Sequence, residues 1–189
     1  MCVALGVVER LRCFDRGELE DDDIAYAPSD GSIAYAVTHQ GRVFKSTSGG
    51  IGGWTELLNP GLPSTMFVSS VSVGWDDPDY VAVSYGRSGS PTVWISEDGG
   101  VTWTDAGGVL ESDALPAVSI TSVAHHPFDR ETVFASTEIG VFRTLDGGDS
   151  WEAFDQGMPR IVATQLAIRK SERRMYVSTM GQGAFSRRR

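Results

Sequence analysis

The 189-residue sequence has few cysteines, few histidines and no long apolar run. Cys2 and Cys13 are too few for a disulfide scaffold and are spaced unlike a zinc site, although they could pair if two N-terminal strands lie side by side. The apolar stretch at residues 1–8 is too short to span a membrane and lacks the positive charge that precedes a signal-peptide core. We therefore expect no membrane insertion.

Basic charge is also scarce. The formal net charge is −9, and the only basic cluster is the tail Arg187–Arg189. Phosphate binding needs a clustered basic face, so the composition argues against a nucleic-acid partner. Phosphate-binding glycine loops, nucleophile elbows, His-Glu-x-x-His helices and paired Cys-x-x-Cys motifs are absent, so we predict no cofactor and no metal.

Glycine and tryptophan are abundant instead, and they fall in a repeat. Residues 41–54, 91–103 and 139–151 align on the pattern Ser/Thr-x-Asp-x-Gly-x-x-Trp, here called the hairpin motif, at intervals of about 50 residues. The motif is intact twice and eroded once, because Ser48 replaces the Asp in the first copy and an extra residue precedes its Trp. Its predicted structural members are Ser46, Gly50, Trp54, Ser96, Asp98, Gly100, Trp103, Thr144, Asp146, Gly148 and Trp151.

A second repeated block lies upstream of each motif. A turn precedes a short apolar strand at residues 28–37, 76–83, 127–136 and 170–178, and the fourth copy runs on to residue 186 without a hairpin motif. Each unit then contains four short strands separated by turn residues, with no useful helical periodicity. The innermost strands are expected at residues 23–27, 67–73, 120–124 and 163–168. This pattern predicts an all-β fold, a β-propeller of about four antiparallel four-stranded blades.

The repeat also sets the predicted boundaries: closing strands at 1–20, blade 1 at 21–66, blade 2 at 67–118, blade 3 at 119–160 and a partial blade 4 at 161–189. The last blade lacks a fourth strand, while apolar runs at 2–8 and 10–14 are unassigned. We expect the terminal strands to pair and close the ring, which would remove open sheet edges. Alternatively, the chain is part of a larger ring completed by further sequence or by a second copy in a homodimer.

The hairpin motif resembles that of the bacterial neuraminidase repeat, or Asp-box, proteins, which include sialidases, xyloglucan-cleaving glycosidases, sortilin-type receptors and a photosystem assembly factor. The resemblance covers about residues 21–186 and implies a propeller, with a leaning towards an extracytoplasmic location. One architecture hosts unrelated functions, so the resemblance does not imply one activity. The sialidase Phe/Tyr-Arg-Ile-Pro segment and arginine triad are absent, which disfavours a sialidase.

Several acidic and histidine clusters are interpreted as structural. The motif acids recur once per blade, whereas an active site is normally unique, so we expect them to staple their turns. Asp76, Asp77 and Asp79 are expected to be solvated turn acids on the hairpin side, and 21–23 a polar lead into blade 1 rather than a calcium loop. Adjacent strand residues point to opposite sides, so His125 and His126 are not expected to form a metal pair.

A ligand is expected on the opposite face, built from the turns between second and third strands and from the links between blades. The longest link, residues 107–118, is expected to reach over the central channel. The sequence predicts a non-catalytic propeller that binds a protein or a glycan there; the alternatives are a glycoside hydrolase using two loop carboxylates and a self-assembling structural repeat. The candidate residues are His39, Gln40, Arg87, Glu111, Asp113, Glu138, Arg160 and Gln182, with Asn59 in a further link.

Overall fold

The computed structural model describes residues 21–58, 61–63, 67–86, 93–108, 113–155 and 157–188. The predicted closing strands at 1–20, including Cys2 and Cys13, lie outside the described residues. Within these ranges the chain forms four consecutive antiparallel sheets in chain order. A three-residue 3-10 turn, Lys170–Glu172, is the helical element of the described chain.

Three of the sheets have four strands and the last has three. Blade 1 contains β1 Asp21–Tyr26, β2 Ala34–Thr38, β3 Val43–Ser46 and β4 Trp54–Leu57. Blade 2 contains β5 Val68–Val73, β6 Val81–Tyr85, β7 Val93–Ser96 and β8 Thr104–Asp105. Blade 3 contains β9 Ile120–His125, β10 Val133–Thr137, β11 Gly140–Thr144 and β12 Glu152–Ala153, and blade 4 contains β13 Ala163–Arg169, β14 Arg174–Thr179 and β15 Gly183–Arg188.

Each sheet follows the simple order in which every strand pairs with the next one along the chain. Four such meanders confirm the predicted all-β propeller architecture. The predicted inner strands shift by a residue or two at most, since turn residues mark strand ends only approximately. The inner strand of blade 1, for example, was expected at residues 23–27 and is Asp21–Tyr26.

The second strands of blades 1 to 3 form the centre of the core, because all their residues are buried, whereas in β14 only Met175 and Val177 are buried. In β6 every residue is buried: Val81 and Val83 pack towards blade 1, while Ala82 packs towards blade 3. The same alternation in β10 places Ala135 towards blade 2 and Phe134 towards blade 4. A strand buried on both faces therefore separates two apolar layers.

The blades pack in series along the chain. The inner strand β1 contacts β5, β5 contacts β9, and β9 contacts β13. Among the described residues no comparable packing joins β13 to β1. The described blades thus form three interfaces between four blades.

Candidate functional site

The two intact hairpin motifs fold into the same hydrogen-bonded turn. In blade 2 the Ser96 hydroxyl donates to Asp98 Oδ1 at 2.8 Å and accepts the Gly100 N–H at 2.8 Å. In blade 3 the Thr144 hydroxyl makes the same two bonds, at 2.7 Å to Asp146 and 2.8 Å from the Gly148 N–H. Each motif glycine has a positive φ, 91° and 103°, which glycine adopts without steric cost.

The motif carboxylate also accepts hydrogen bonds from a residue that is not part of the sequence pattern. Thr102 donates both its backbone N–H, at 2.8 Å, and its hydroxyl, at 2.6 Å, to Asp98. Ser150 does the same to Asp146, at 2.9 and 2.6 Å. In the sequence, the hydroxyl residue four positions after each motif Asp is the feature that could have predicted these bonds. The motif acids therefore hold their own turns together.

The eroded hairpin of blade 1 keeps only part of this network. Ser46 still accepts the Gly50 N–H at 3.1 Å, but Ser48, in place of the Asp, donates its single hydroxyl to the Gly52 carbonyl at 2.7 Å. The ionised Asp of the intact motif accepts bonds on two oxygens, whereas Ser48 has a single oxygen, which donates its hydrogen to a carbonyl and lies 3.2 Å from the Ser46 hydroxyl. This hairpin therefore lacks the charge-assisted bonds that a carboxylate accepts in the intact motifs.

Hydrogen bonding keeps the motif carboxylates ionised. The bonds from Thr102 hold the pKa of Asp98 down at about 2. At Asp146 burial raises the pKa, but the bonds from Ser150 and Thr144 together leave it below the ordinary value.

Asp98→Asn is expected to lower the melting temperature at pH 7. A carboxylate with a lowered pKa stabilises the fold fully above its unfolded-state pKa and loses that effect as the pH falls to about 2. The difference in melting temperature between the variant and the unmodified chain should therefore shrink between pH 4 and pH 2. Thermal melts followed by circular dichroism at each pH measure it. Asp149→Asn, an exposed acid at a variable position of the blade 3 motif, is the control; an equal pH-dependent loss of melting temperature in that variant would contradict the assignment.

The acids in the turn of blade 2 form ion pairs with three other blades. Asp79 accepts from Lys45 of blade 1 at 2.8 Å, Asp77 from Arg130 of blade 3 at 3.0 Å, and Asp76 from Lys170 of blade 4 at 3.4 Å. The interpretation of these acids as solvated turn residues omitted their partners, which lie far away in sequence. Exposed pairs of this kind contribute little stability.

A row of hydroxyl pairs, which no repeated sequence motif marks, lies at the β-bulges of the inner strands of blades 2 to 4. The hydroxyl oxygens of Ser69 and Ser84 are 2.9 Å apart, and those of Thr121 and Ser136 are 2.8 Å apart. Thr164 and Ser178 repeat the pair in blade 4 at 2.8 Å. Each pair joins the inner strand to the second strand where the register of the ladder shifts. We therefore assign these hydroxyls to holding the sheet together.

His125 is buried in the interface between blades 2 and 3. Its Nδ1 lies 2.9 Å from the Ser72 hydroxyl, its ring packs 5.0 Å from that of Tyr80, and its carbonyl accepts the Trp75 indole N–H at 2.9 Å. The neighbouring His126 instead packs near Phe128, at 5.9 Å between ring centroids. Within the described residues no group of three or more His, Cys, Asp or Glu side chains could hold a metal ion.

The turns between second and third strands adjoin the ends of the links between blades. The Glu138 N–H donates to the Ser119 carbonyl at 3.3 Å, and the Met180 N–H donates to the Val162 carbonyl at 3.0 Å. In blade 1 the His39 ring packs edge-on against Phe67, with centroids 4.4 Å apart. These contacts define one surface, the loop face, made of the turns at 38–42, 137–140 and 179–183 with the adjoining link residues.

The described candidates on the loop face are exposed. His39 and Gln40 lie in the turn of blade 1, Glu138 lies in that of blade 3, and Gln182 lies in that of blade 4, next to the link that contains Arg160. Asp113 lies elsewhere, since its carbonyl accepts the Trp151 N–H at 2.7 Å beside the hairpin of blade 3. Arg87, Glu111 and Asn59 fall outside the described residues.

Comparison with known proteins identifies the fold but not a family. No family model matches the chain. Vacuolar protein sorting/targeting protein 10 of Laccaria bicolor is 28% identical over 128 residues, which are 67% of this chain and 8% of that protein. Among solved structures, a GH74 enzyme of Niastella koreensis superposes with a TM-score of 0.67 at 17% identity, over 88% of this chain and 28% of that one. YCF48 bound to a D1 peptide gives 0.64 at 17% identity, over 93% and 56%.

These likenesses show a β-propeller. The chain spans less than a tenth of the sorting protein and about a quarter of the GH74 enzyme. Within the described residues no helix is long and apolar enough to cross a membrane. These comparisons therefore assign a fold to the chain and leave its function to be inferred from the surfaces of the four blades.

Proposed function

We propose that this chain is a non-catalytic propeller module of the Asp-box type that binds a protein partner through its loop face. One observation carries the proposal. Turns anchored to the neighbouring link by backbone hydrogen bonds present exposed polar side chains of both charge signs, among them Glu138 and Arg160. Variable polar loops on a rigid scaffold are where propellers and similar folds collect binding function.

The similarity to a vacuolar sorting protein supports a protein ligand, because sorting requires the recognition of other proteins. The repeated hairpin turns of blades 2 and 3 support the Asp-box assignment, since both use the same bonds at the same positions. A glycan remains the second ligand class from the sequence, and the experiment below includes it.

Five described carboxyl groups have a shifted pKa, and none of the five has the raised pKa of a general acid. A two-carboxylate glycosidase needs one carboxylic acid whose pKa is raised, so that it can protonate the leaving group. The described carboxyl groups with a displaced pKa are all shifted downward, each by a hydrogen-bond donor: Asp30, Glu56, Asp98, Asp146 and Glu172. They therefore act as acceptors that hold turns and strands.

The loop face can be tested by selecting ligands from a random peptide library displayed on phage and from an oligosaccharide array. We expect selected peptides to lose at least tenfold in affinity for a loop-face variant carrying His39→Ala, Glu138→Ala, Arg160→Ala and Gln182→Ala. A hairpin-face variant carrying Glu97→Ala, Glu131→Ala and Asp149→Ala is the control, because these side chains are also exposed. It should bind within twofold of the unmodified chain in isothermal titration calorimetry.

Equal binding by both variants would place the ligand away from the loop face. Cleavage of any oligosaccharide between pH 4 and pH 8 would support the hydrolase alternative instead. The self-assembly alternative predicts a solution mass of two or more chains, which multi-angle light scattering measures directly.

A further inference from the structure

Cations that stack on aromatic rings recur in this chain, and most of them are also paired with an acid. A ring face attracts a cation, but it does not neutralise the charge. In five of these contacts the cation lies between 4.4 and 5.4 Å from the ring centroid. The same five cations each form an ion pair: Arg42 with Glu56, Lys45 with Asp79, Arg130 with Asp77, Arg143 with Glu152 and Lys170 with Asp76.

Arg173 is stacked in the same way but has no carboxylate. Its guanidinium lies 5.2 Å from the centroid of the Phe128 ring, across the interface between blades 3 and 4. Within the described residues it forms no ion pair. The adjacent Glu172 is already engaged, because its carboxylate accepts from Arg169 at 2.6 Å and from the Tyr176 hydroxyl at 2.8 Å. The described blades therefore do not supply Arg173 with the acid that the five other cations have.

Arg173 lines a cavity of about 230 Å³ between blades 3 and 4. A cavity of roughly 150 Å³ already admits a benzene molecule, so this one has room for a fused pair of aromatic rings. A second guanidinium in the lining, that of Arg174, donates to the Ser186 hydroxyl at 3.0 Å, and it too lacks an ion pair in the described part of the chain. The remaining lining residues are His126, Pro127, Phe128, Ile168 and Met175.

The cavity lies on the hairpin side of the propeller, because its turn residues connect first and second strands. In blade 3 this turn is bonded to the hairpin, since the Gly147 N–H donates to the Glu131 carbonyl at 3.0 Å. Glu131 holds the place of Arg173 one blade earlier. Each stands two residues before the strand residue that packs on the preceding blade, Val133 in one case and Met175 in the other. The Glu131 side chain is exposed with its hairpin in place, so exposure is a property of this position in the blade.

The backbone of Arg173 is in the left-handed region, with φ 50° and ψ 47°. In the described chain it is the one residue other than glycine with a positive φ. It ends the 3-10 turn, and its N–H donates to the Lys170 carbonyl at 3.3 Å. Glycine adopts this conformation without steric cost, whereas a residue with a Cβ does not. An arginine here is therefore held in a strained conformation, which is a feature of ligand-binding sites.

We propose that this cavity binds a small organic anion, a carboxylate carried on an aromatic body of one or two rings. The carboxylate pairs with Arg173 and Arg174 through charge-assisted hydrogen bonds. The aromatic body fills the apolar part of the cavity, between Phe128, Ile168 and Met175. The Phe128 ring favours an aromatic body, since aromatic pairs contribute more than the area that they bury. The site lies on the side opposite the loop face, so the proposal does not depend on the proposed function.

The probe is naphthoate, titrated into the full chain at pH 7 by isothermal titration calorimetry. We expect saturable binding, and naphthamide, which has the same rings without the charge, should bind at least tenfold more weakly. Arg173→Gly should weaken naphthoate binding at least tenfold. Its melting temperature should not fall, because relief of the left-handed backbone offsets the added freedom of the unfolded chain. Arg160→Gly is the matched control, since it removes the same charge from an exposed residue of a link between blades, and it should bind like the unmodified chain.

Methyl NMR of the unmodified chain, with its methionines labelled, provides a second readout that needs no variant. The Met175 methyl signal should shift when naphthoate binds, because Met175 lines the cavity and a bound aromatic ring shifts nearby protons. The signal of Met180, which is 66% exposed in a turn of the loop face, should not shift. Absence of binding at millimolar naphthoate would overturn the proposal, and so would equal affinity for naphthoate and naphthamide. Equal binding by the Arg173→Gly and Arg160→Gly chains, or an unshifted Met175 signal at saturation, would also overturn it.

Discussion

Replacing Trp151 by Ala is expected to lower the free energy of unfolding by about 3–5 kcal/mol. The ring is 7% exposed and packs between blades 2 and 3, so its removal leaves a cavity in an apolar layer. The substitution also deprives the Ala106 carbonyl of its 2.7 Å bond from the indole N–H. For a chain of this size the loss corresponds to a fall in melting temperature on the order of 10 °C, measurable by circular dichroism.

Trp54→Ala is the matched control for this prediction. Trp54 occupies the same motif position in blade 1, but it is only partly buried and its hairpin lacks the motif carboxylate. Removing it should therefore cost clearly less than removing Trp151. If urea denaturation gave equal losses of unfolding free energy for the two variants, burial between blades would not determine how much the motif tryptophans stabilise the fold.

The hairpin motif was predictable because its interactions are local. The donors and acceptors of the Ser96 turn lie within six residues of one another, and turn chemistry alone assigns the roles of Asp98 and Gly100. The tryptophan that follows must leave the turn, and a large apolar ring next to a repeated strand pattern predicts burial between repeats. Fold class and strand positions followed from the same local pattern.

Contacts between blades were not predictable in the same way. The pairs Asp79 with Lys45 and Asp76 with Lys170 join residues whose proximity depends on how the blades stack. Asp113 of the candidate site is an example. The link that contains it was expected on the loop face because of its length, but in the structure Asp113 lies beside Trp151. Links between blades have no periodic pattern, so their paths depend on packing that a single sequence does not reveal.

Acidification is expected to destabilise the chain through His125. Burial first, and the positive charge of Arg130 second, lower the pKa of this imidazole from 6.5 to about 3. The unfolded chain then binds a proton at this position below pH 6.5, while the folded chain does not until about pH 3. Unfolding is favoured increasingly between these values, and His125 alone should cost roughly 3 kcal/mol at pH 4 relative to neutral pH.

His125→Phe isolates this effect, because it removes the titrating group and keeps a ring against Tyr80. The substitution removes the 2.9 Å contact of Nδ1 with the Ser72 hydroxyl, and this loss is the same at every pH. The hydroxyl still accepts the backbone N–H of residue 125 at 3.1 Å, and within the described chain Nε2 has no hydrogen-bond partner to lose. The variant should therefore gain stability over the unmodified chain as the pH falls from 7 to 4, measured by urea denaturation at each pH. Carboxylates such as Asp98 titrate in both proteins and cancel in the difference. His39→Phe, at an exposed turn, should show no such gain; if it gains as much as His125→Phe, burial of His125 is not the cause of the acid sensitivity.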